Sequence, residues 1–275
     1  MNLQDIVYRC LNWLIKTRGY TAFATLAHGD LEHRIFRMNQ FNLSTARLHE
    51  KTFGPFKNKF YGKELAIIAC GPSLNNYQPI PNVINIGVNR AFKDSRIILD
   101  YIFFHDAEPW SRDEIKELNN YRRGLCTKFY GILTENLDNN YSPANVSESD
   151  AIDAGALRYR TNNANFIKGL EPVFQLDIST QPLAAFKSVI FAALQFALWT
   201  NPRRIYLVGC DCTVKGHFYE DNCTRPHVHT ELKHAYECLK RFATAFYPDT
   251  EIVSVNPVGL KGLFRDMLQN GDIAK

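Results

Sequence analysis

The chain has 275 residues, 45% of them hydrophobic, with 32 lysines and arginines against 28 aspartates and glutamates, a formal net charge of +4 at pH 7. That length and apolar content suffice for a full α/β core, while so mild a basic excess falls short of a nucleic-acid-binding profile and suits an anionic small-molecule substrate. Seven cysteines without regular spacing exclude a secreted disulfide scaffold and point to a reducing, cytoplasmic setting. No window approaches the about 18 apolar residues of a membrane span, and the opening Met-Asn-Leu-Gln-Asp-Ile is not a charged leader before an apolar core.

Leu3, Ile6, Val7, Cys10, Leu11, Leu14 and Ile15 recur at helical spacing with polar residues between them, so the chain opens on an amphipathic helix that Gly19 stops. Such a face docks on its own domain or pairs with a second subunit; a peripheral membrane contact is the alternative. Residues 20–62 read as further helix and loop, giving a helical extension over 1–62 before a main domain over 63–275. From there short apolar runs at 65–70, 83–87, 101–105, 127–132, 204–209 and 251–255 alternate with helices or loops. That alternation predicts a Rossmann-like α/β fold, a mostly parallel sheet with helices on both faces. Segment 134–155, dense in Asn, Ser, Asp and Glu, reads as a solvated surface loop, with a substrate-closing lid as the functional alternative. The stretch 184–199 is apolar nearly all round and predicts a buried helix that Asn201-Pro202 ends. A second helix over 230–246 turns Leu232, Tyr236, Leu239 and Phe242 inward, with Thr230 as its N-cap.

In an open parallel sheet, ligands bind beyond the carboxyl ends of the strands at a switch point, so the polar residues there are the candidates. The first strand runs into Gly71-Pro72-Ser73, a turn whose backbone N–H groups suit an anion, although it has neither a Walker lysine nor a three-glycine dinucleotide fingerprint. The second ends at Asn89-Arg90, the third at His105-Asp106, and a later one at Gly209-Cys210-Asp211. Each has a plainer reading: Asn89 as a helix cap, Asp211 holding a turn, His105 as a hydrogen-bonded core residue. Convergence on one sheet edge is what predicts a nucleotide site. Asp106 and Asp211 also suit a magnesium ion on ATP phosphates, the pattern of pyrophosphoryl transfer. Cys210, Cys212, His217, Cys223, His227 and His229 are zinc-ligand types but lack a Cys-X-X-Cys pair, and a non-catalytic nucleotide-binding scaffold remains open.

This order of motifs resembles the bacterial sialyltransferases of glycosyltransferase family 42 over residues 65–264, with a poorer match over 110–180. More distantly it is similar to the 6-hydroxymethylpterin pyrophosphokinase-like family, which shares a Gly-Pro-Ser strand end. The first resemblance implies that Gly71, Pro72, Ser73 and Asn89 contact the nucleotide and that Ser188 faces the donor from the start of the buried helix. His105 and Asp106 then stand at a donor-binding strand end, with Asp211 at the later one. Tyr219, eight residues after Asp211, is implied as the phenol that binds the departing phosphate, and His227 as the catalytic base, with His229 the competing choice two residues on. The activity implied is transfer of a sugar from a nucleotide-activated donor, a CMP-linked acid sugar such as sialic acid, to a surface glycan acceptor. It implies no cofactor and no resident metal, magnesium entering only under the pyrophosphokinase alternative, and a homo-oligomer. Three positions depart from the family pattern: Cys70 replaces an Asn, Thr213 replaces a second phosphate-binding tyrosine, and His105-Asp106 replaces an Asn. Asp106 would repel a donor carboxylate, while Lys215 and Arg225 are candidate phosphate partners in place of the missing phenol.

Overall fold

The computed structural model describes residues 39–105, 110–132, 146, 148–162, 174–184, 186, 188–213, 215–219 and 229–269. The opening amphipathic helix, Asp106, Cys223, Arg225 and His227 lie outside the described residues, as does the side chain of His229.

Residues 39–53 form helix α1 and lead into β1 (Glu64–Ile68), which alternates Leu65 and Ile67 on one face with Ala66 and Ile68 on the other, all fully buried. A strand apolar on both faces belongs inside a parallel sheet covered on both sides. The chain then lays down β2 (Ile84–Val88), β3 (Tyr101–Phe104), helix α2 (Arg112–Asn120), β4 (Thr127–Gly131), helix α3 (Glu148–Asp153) and β5 (Leu157–Tyr159), stepping outward from β1. Two short strands follow, β6 (Thr161–Asn162) and β7 (Leu183–Ala184), paired with each other. Helix α4 (Ile190–Trp199) returns beneath the sheet, and β8 (Arg204–Val208) enters on the other flank of β1. Helix α5 (His229–Phe246), β9 (Glu251–Val255) and β10 (Arg265–Met267) complete that side. The order is β10-β9-β8-β1-β2-β3-β4-β5, every pairing parallel.

One face of the sheet packs against α1, α4 and α5, the other against α2, α3 and two 3₁₀ helices, Pro72–Asn76 and Asn89–Lys93. All ten residues of α4 are buried, as an all-round apolar helix requires. Phe53 of α1 is fully buried among Phe129, Tyr159 and Phe196, and its carbonyl accepts the Trp199 indole N–H at 3.0 Å, so 39–62 shares the core of the main sheet. Among the described residues no helix is long and apolar enough to cross a membrane.

The Rossmann-like α/β fold is as the alternation predicts, and the six anticipated strands form within a residue or two of their expected bounds. β5, β6, β7 and β10 were not anticipated; at two or three residues each they are too short to carry a period-two pattern. The buried helix begins at Ile190 instead of 184, because Leu183 and Ala184 pair as a strand and Phe186 sits at φ +42°, which ends any helical run. Within 134–155, expected as loop, residues 148–153 are helical, while 134–145 and 147 lie outside the described residues.

Candidate functional site at the switch point

Because the chain first steps from β1 towards β5 and then returns to β1's opposite flank, the switch point falls between β1 and β8. Ligand sites of open parallel sheets form beyond the carboxyl ends of strands so divided. The two strand ends meet through glycine. The Gly71 N–H donates to the Gly209 carbonyl at 2.8 Å, and a Cβ on Gly71 would lie 2.5 Å from that oxygen and 2.7 Å from the Asp211 carboxyl carbon. Gly209 itself adopts φ +65°, with space for a Cβ closed by the Ala69 carbonyl at 2.6 Å. Only residues without a side chain permit this approach.

Asp211 is buried, 7% exposed, and fastens the turn. Its Oδ2 accepts the Ser73 N–H at 2.8 Å and its Oδ1 accepts the Ser73 hydroxyl. Burial pushes the Asp211 pKa up, with the Ser73 donors and the charge of Lys215 pulling partly the other way. The Leu74 N–H donates to the Gly71 carbonyl at 3.0 Å. Thus the amides of Gly71, Ser73 and Leu74 are engaged within the protein, and Pro72 has none. The expectation that this turn offers free N–H groups to an anion is corrected: the turn is a rigid wall held by Asp211.

The segment 215–219 is tied to the same wall by the Phe218 N–H, which donates to the Cys70 carbonyl at 2.8 Å. This seats Tyr219 beside the Gly71 turn. His217 stacks on the Tyr219 ring at 5.2 Å and Phe218 meets it edge-on at 5.1 Å. From the end of β2, the Arg90 guanidinium lies over the Tyr219 ring, 5.6 Å from its centre. Arg90 is anchored on its other side. Its Nε and Nη2 reach the two carboxylate oxygens of Glu114 at 2.9 and 3.1 Å, and its plane lies 4.3 Å from the buried Trp110 ring. Glu114 is the third residue of α2 in a reciprocal capping box with Ser111, and it also takes Lys93 at 2.8 Å. Hydrogen bonds from Arg90 and Lys93 hold its carboxyl well below the usual carboxylate range. Burial alone would lower the Arg90 pKa, but its bonds to Glu114 and the nearby Tyr219 more than offset that.

Asn89, one residue before, adopts the left-handed φ of +48° that Asn tolerates, and its Oδ1 is buried with no hydrogen-bond partner among the described residues. His105 follows β3, 9% exposed, stacked at 6.1 Å on Tyr159; a Cβ on Gly131 would lie 2.2 Å from its Nδ1, so the bare backbone of β4 makes room for the imidazole. Ser188, half-buried, stands in the turn that opens α4. Helices α4 and α5 finish beside the starts of the strands, where Arg203 N–H meets the Lys63 carbonyl and the Thr250 hydroxyl meets the Pro202 carbonyl. Their first residues, Ser188 and His229 at their openings, therefore lie towards the carboxyl edge.

Comparison with known proteins adds little. No family model matches the chain, and no curated protein matches it. Among solved structures it is similar to the sialyltransferase CstII from Campylobacter jejuni in complex with a substrate analogue, CMP-3FNeuAc, at 14% identity and a TM-score of 0.40, over 74% of this chain and 86% of that one. A likeness of that size does not carry chemistry from one chain to the other.

Of the sequence-derived candidates, the structure brings Gly71, Pro72, Ser73, Asp211 and Tyr219 together at the switch point, with Asn89 one residue from the arginine that touches Tyr219. Among the described residues no three His, Cys, Asp or Glu side chains converge on a metal position. Two cavities among the described residues, of about 260 and 530 Å³, lie away from the carboxyl ends of the strands, one beside Tyr247 and Ile252 and one between α1 and residues 175–182. Sequence reasoning named Arg90 as a strand-end residue but gave it no role, and it missed Glu114 and Trp110. The signal within reach was Ser111-X-X-Glu114, a capping box.

Proposed function

We propose that the protein is a glycosyltransferase that binds a nucleotide-activated sugar at the β1/β8 switch point and moves the sugar to a surface glycan acceptor. The observation that carries this reading is the Phe218–Cys70 backbone bond, which brings the segment bearing Tyr219 to the Gly71 turn. The buried, unpartnered Oδ1 of Asn89 supports the nucleotide part, because an exocyclic amine of a base such as cytosine, or a ribose hydroxyl, would satisfy it. A CMP-linked acid sugar such as sialic acid is the leading donor. His105 gives its carboxylate a cationic partner when protonated, whereas Asp106 opposes it.

In the reaction the acceptor oxygen bonds to the anomeric carbon as the anomeric C–O bond to phosphate breaks. The electron pair of that bond leaves on the phosphate, and the acceptor's proton passes to a base. Tyr219 donates to the phosphate oxygen as charge develops there. His227 is the proposed base, with His229 its competitor, since an imidazole of ordinary pKa about 6.5 is available near neutrality. These steps call for no metal.

Calorimetric titration with CMP, CTP, UDP, GDP and ATP, each with and without magnesium, tests the reading. CMP binding without magnesium is expected; magnesium-dependent ATP binding would make the protein a pyrophosphokinase, and no binding at all would leave a scaffold. His227→Ala is expected to abolish transfer and leave CMP affinity within about threefold, because the base acts on the acceptor. Undiminished turnover would remove His227 from the mechanism.

A further inference from the structure

We propose that the edge of the sheet where the strands begin, opposite the switch point, docks on a bilayer surface that carries anionic lipid. The inference is independent of the transferase reading.

Among the described residues the two most exposed large hydrophobic side chains are Tyr61 at 74% and Leu125 at 73%, and both lie at this edge with Ile98 at 61%. Tyr61 stands three residues before β1, Ile98 three before β3 and Leu125 two before β4. Packing joins these approaches: Phe60 meets the Tyr101 ring at 5.7 Å, and Tyr101 pairs with Thr127, two residues after Leu125. From β1 to β4 is three strand spacings, about 14 Å. One exposed leucine is ordinary surface, whereas three large apolar side chains on one edge form a patch.

The patch is held out by fixed backbone. The turn before β1 is pinned to the end of α4 by the Asn58 and Phe60 N–H groups, which donate to the Trp199 and Thr200 carbonyls at 3.1 and 3.0 Å. The turn before β4 is pinned to Leu99, whose N–H donates to the Tyr121 hydroxyl at 3.1 Å and whose carbonyl accepts Arg122 Nη1 at 2.9 Å. Gly62 and Gly124 turn the chain at φ +71° and +78°, and a Cβ on either would meet nothing within 4 Å. Tips displayed so rigidly lose little conformational entropy when they enter lipid.

Charge names the partner. Glu64 is taken by Arg203 and Arg204, Glu251 by Arg204 and Arg265, and Asp100 turns its Oδ2 to the Asn85 N–H. Lys59 and Lys63 flank Tyr61, Arg123 stands beside Leu125, and all three are exposed and form no ion pair among the described residues. Cations around protruding apolar side chains match the interface of an anionic bilayer, headgroups outside and acyl chains beneath. In a two-fold dimer the patch would meet itself and set these cations against their own copies. Nucleic acid would stack on Tyr61 but has no use for Ile98 and Leu125. The strand β1 spans five residues, so docking leaves the Gly71 turn about 17 Å beyond the docked edge, open to water.

The full chain is to be sedimented with vesicles of phosphatidylcholine alone or with about 30% phosphatidylglycerol. Binding to the anionic vesicles only is expected, falling at least about tenfold between about 0.1 and 0.5 M salt as the attraction is screened. Lys59→Gln, Lys63→Gln and Arg123→Gln together should weaken partitioning about 100-fold, about fivefold for each charge. Removing as much charge towards the carboxyl edge, with Arg112→Gln, Lys116→Gln and Lys261→Gln, should change it less than about threefold. Tyr61→Ser with Leu125→Ser should cost about tenfold with every cation in place. All these side chains are exposed, and circular dichroism and melting check that the variants stay native-like. No binding to anionic vesicles, equal losses from the two charge triplets, or binding indifferent to the serine pair would each overturn the proposal. So would self-association without vesicles that Leu125→Ser abolishes, which assigns the patch to a second copy, or a preference for a single-stranded oligonucleotide over the vesicles.

Discussion

His49 offers a test of the stability argument that can be worked through from the structure. It lies in α1, fully buried, where its Nδ1–H donates to the carbonyls of Ile178 and Gln181, both at 2.9 Å, while its Nε2 accepts the Arg160 N–H at 2.8 Å. Those partners assign the neutral tautomer with the proton on Nδ1. Burial lowers the pKa from 6.5 to about 4, the two carbonyls opposing that and the Arg160 charge reinforcing it. At about 1.4 kcal/mol per pH unit the difference amounts to about 3 kcal/mol. Since the folded pKa lies below the unfolded one, the neutral ring's contribution is complete above pH 6.5 and is lost as pH falls towards about 4. His49→Phe removes the titration and leaves two carbonyls and one N–H without their partner, a cost of about 1–3 kcal/mol for each buried group left unsatisfied. Urea unfolding followed by tryptophan fluorescence at about pH 7.5, 5.5 and 4 is expected to show wild type well ahead at the highest pH, with the gap shrinking by about 3 kcal/mol at the lowest. A gap that stays constant across the range would refute the assignment of a buried neutral imidazole.

Asp211→Ala should destabilise the protein by about 1–3 kcal/mol in thermal melts, and on the proposed function loosen nucleotide binding, because the buried Ser73 N–H loses its acceptor. Asp211→Asn, which accepts from that N–H and donates to the Ser73 hydroxyl, should be far milder. The folded pKa of Asp211 is raised above the usual 3.8, so wild-type stability relative to Asp211→Asn is expected to fall as pH rises through the folded value; a gap that widens with pH would contradict this. Gly131→Ala puts a methyl 2.2 Å from the His105 imidazole and is expected to cost about 1–3 kcal/mol, with a shifted His105 resonance in histidine NMR spectra; an unchanged spectrum would show that β4 does not pack on that ring.

Much of the frame was legible because burial on both faces leaves a mark in one dimension. Leu65 to Ile68 and Ile205 to Val208 are apolar runs of strand length bounded by turn residues, Ile252 to Val255 is broken only by Ser254, and α4 is apolar all round. The glycines at 71 and 209 also announced turns. What the pattern does not contain is partnership. The plainer reading of Asp211, holding a turn, is the one the structure bears out, but Asp211 and Ser73 are 138 residues apart, and nothing in either neighbourhood says which turn the carboxylate closes on. Likewise Arg90 and Glu114, 24 residues apart, look like two surface charges until β2 and α2 are folded together.

The sequence by itself determined the six longer strands, their alternation with helices or loops, the buried helix and the residues that arrive at strand ends, since those follow from local periodicity, turn chemistry and the need to bury apolar side chains. Only the tertiary structure decided that β8 lies against β1, that the Gly71 turn is closed by Asp211, and that Tyr219 stands beside Arg90. Periodicity fixes which way a side chain faces from its own element. Which distant group it meets depends on strand order and on backbone approaches of under 3 Å that exist only once the sheet is assembled.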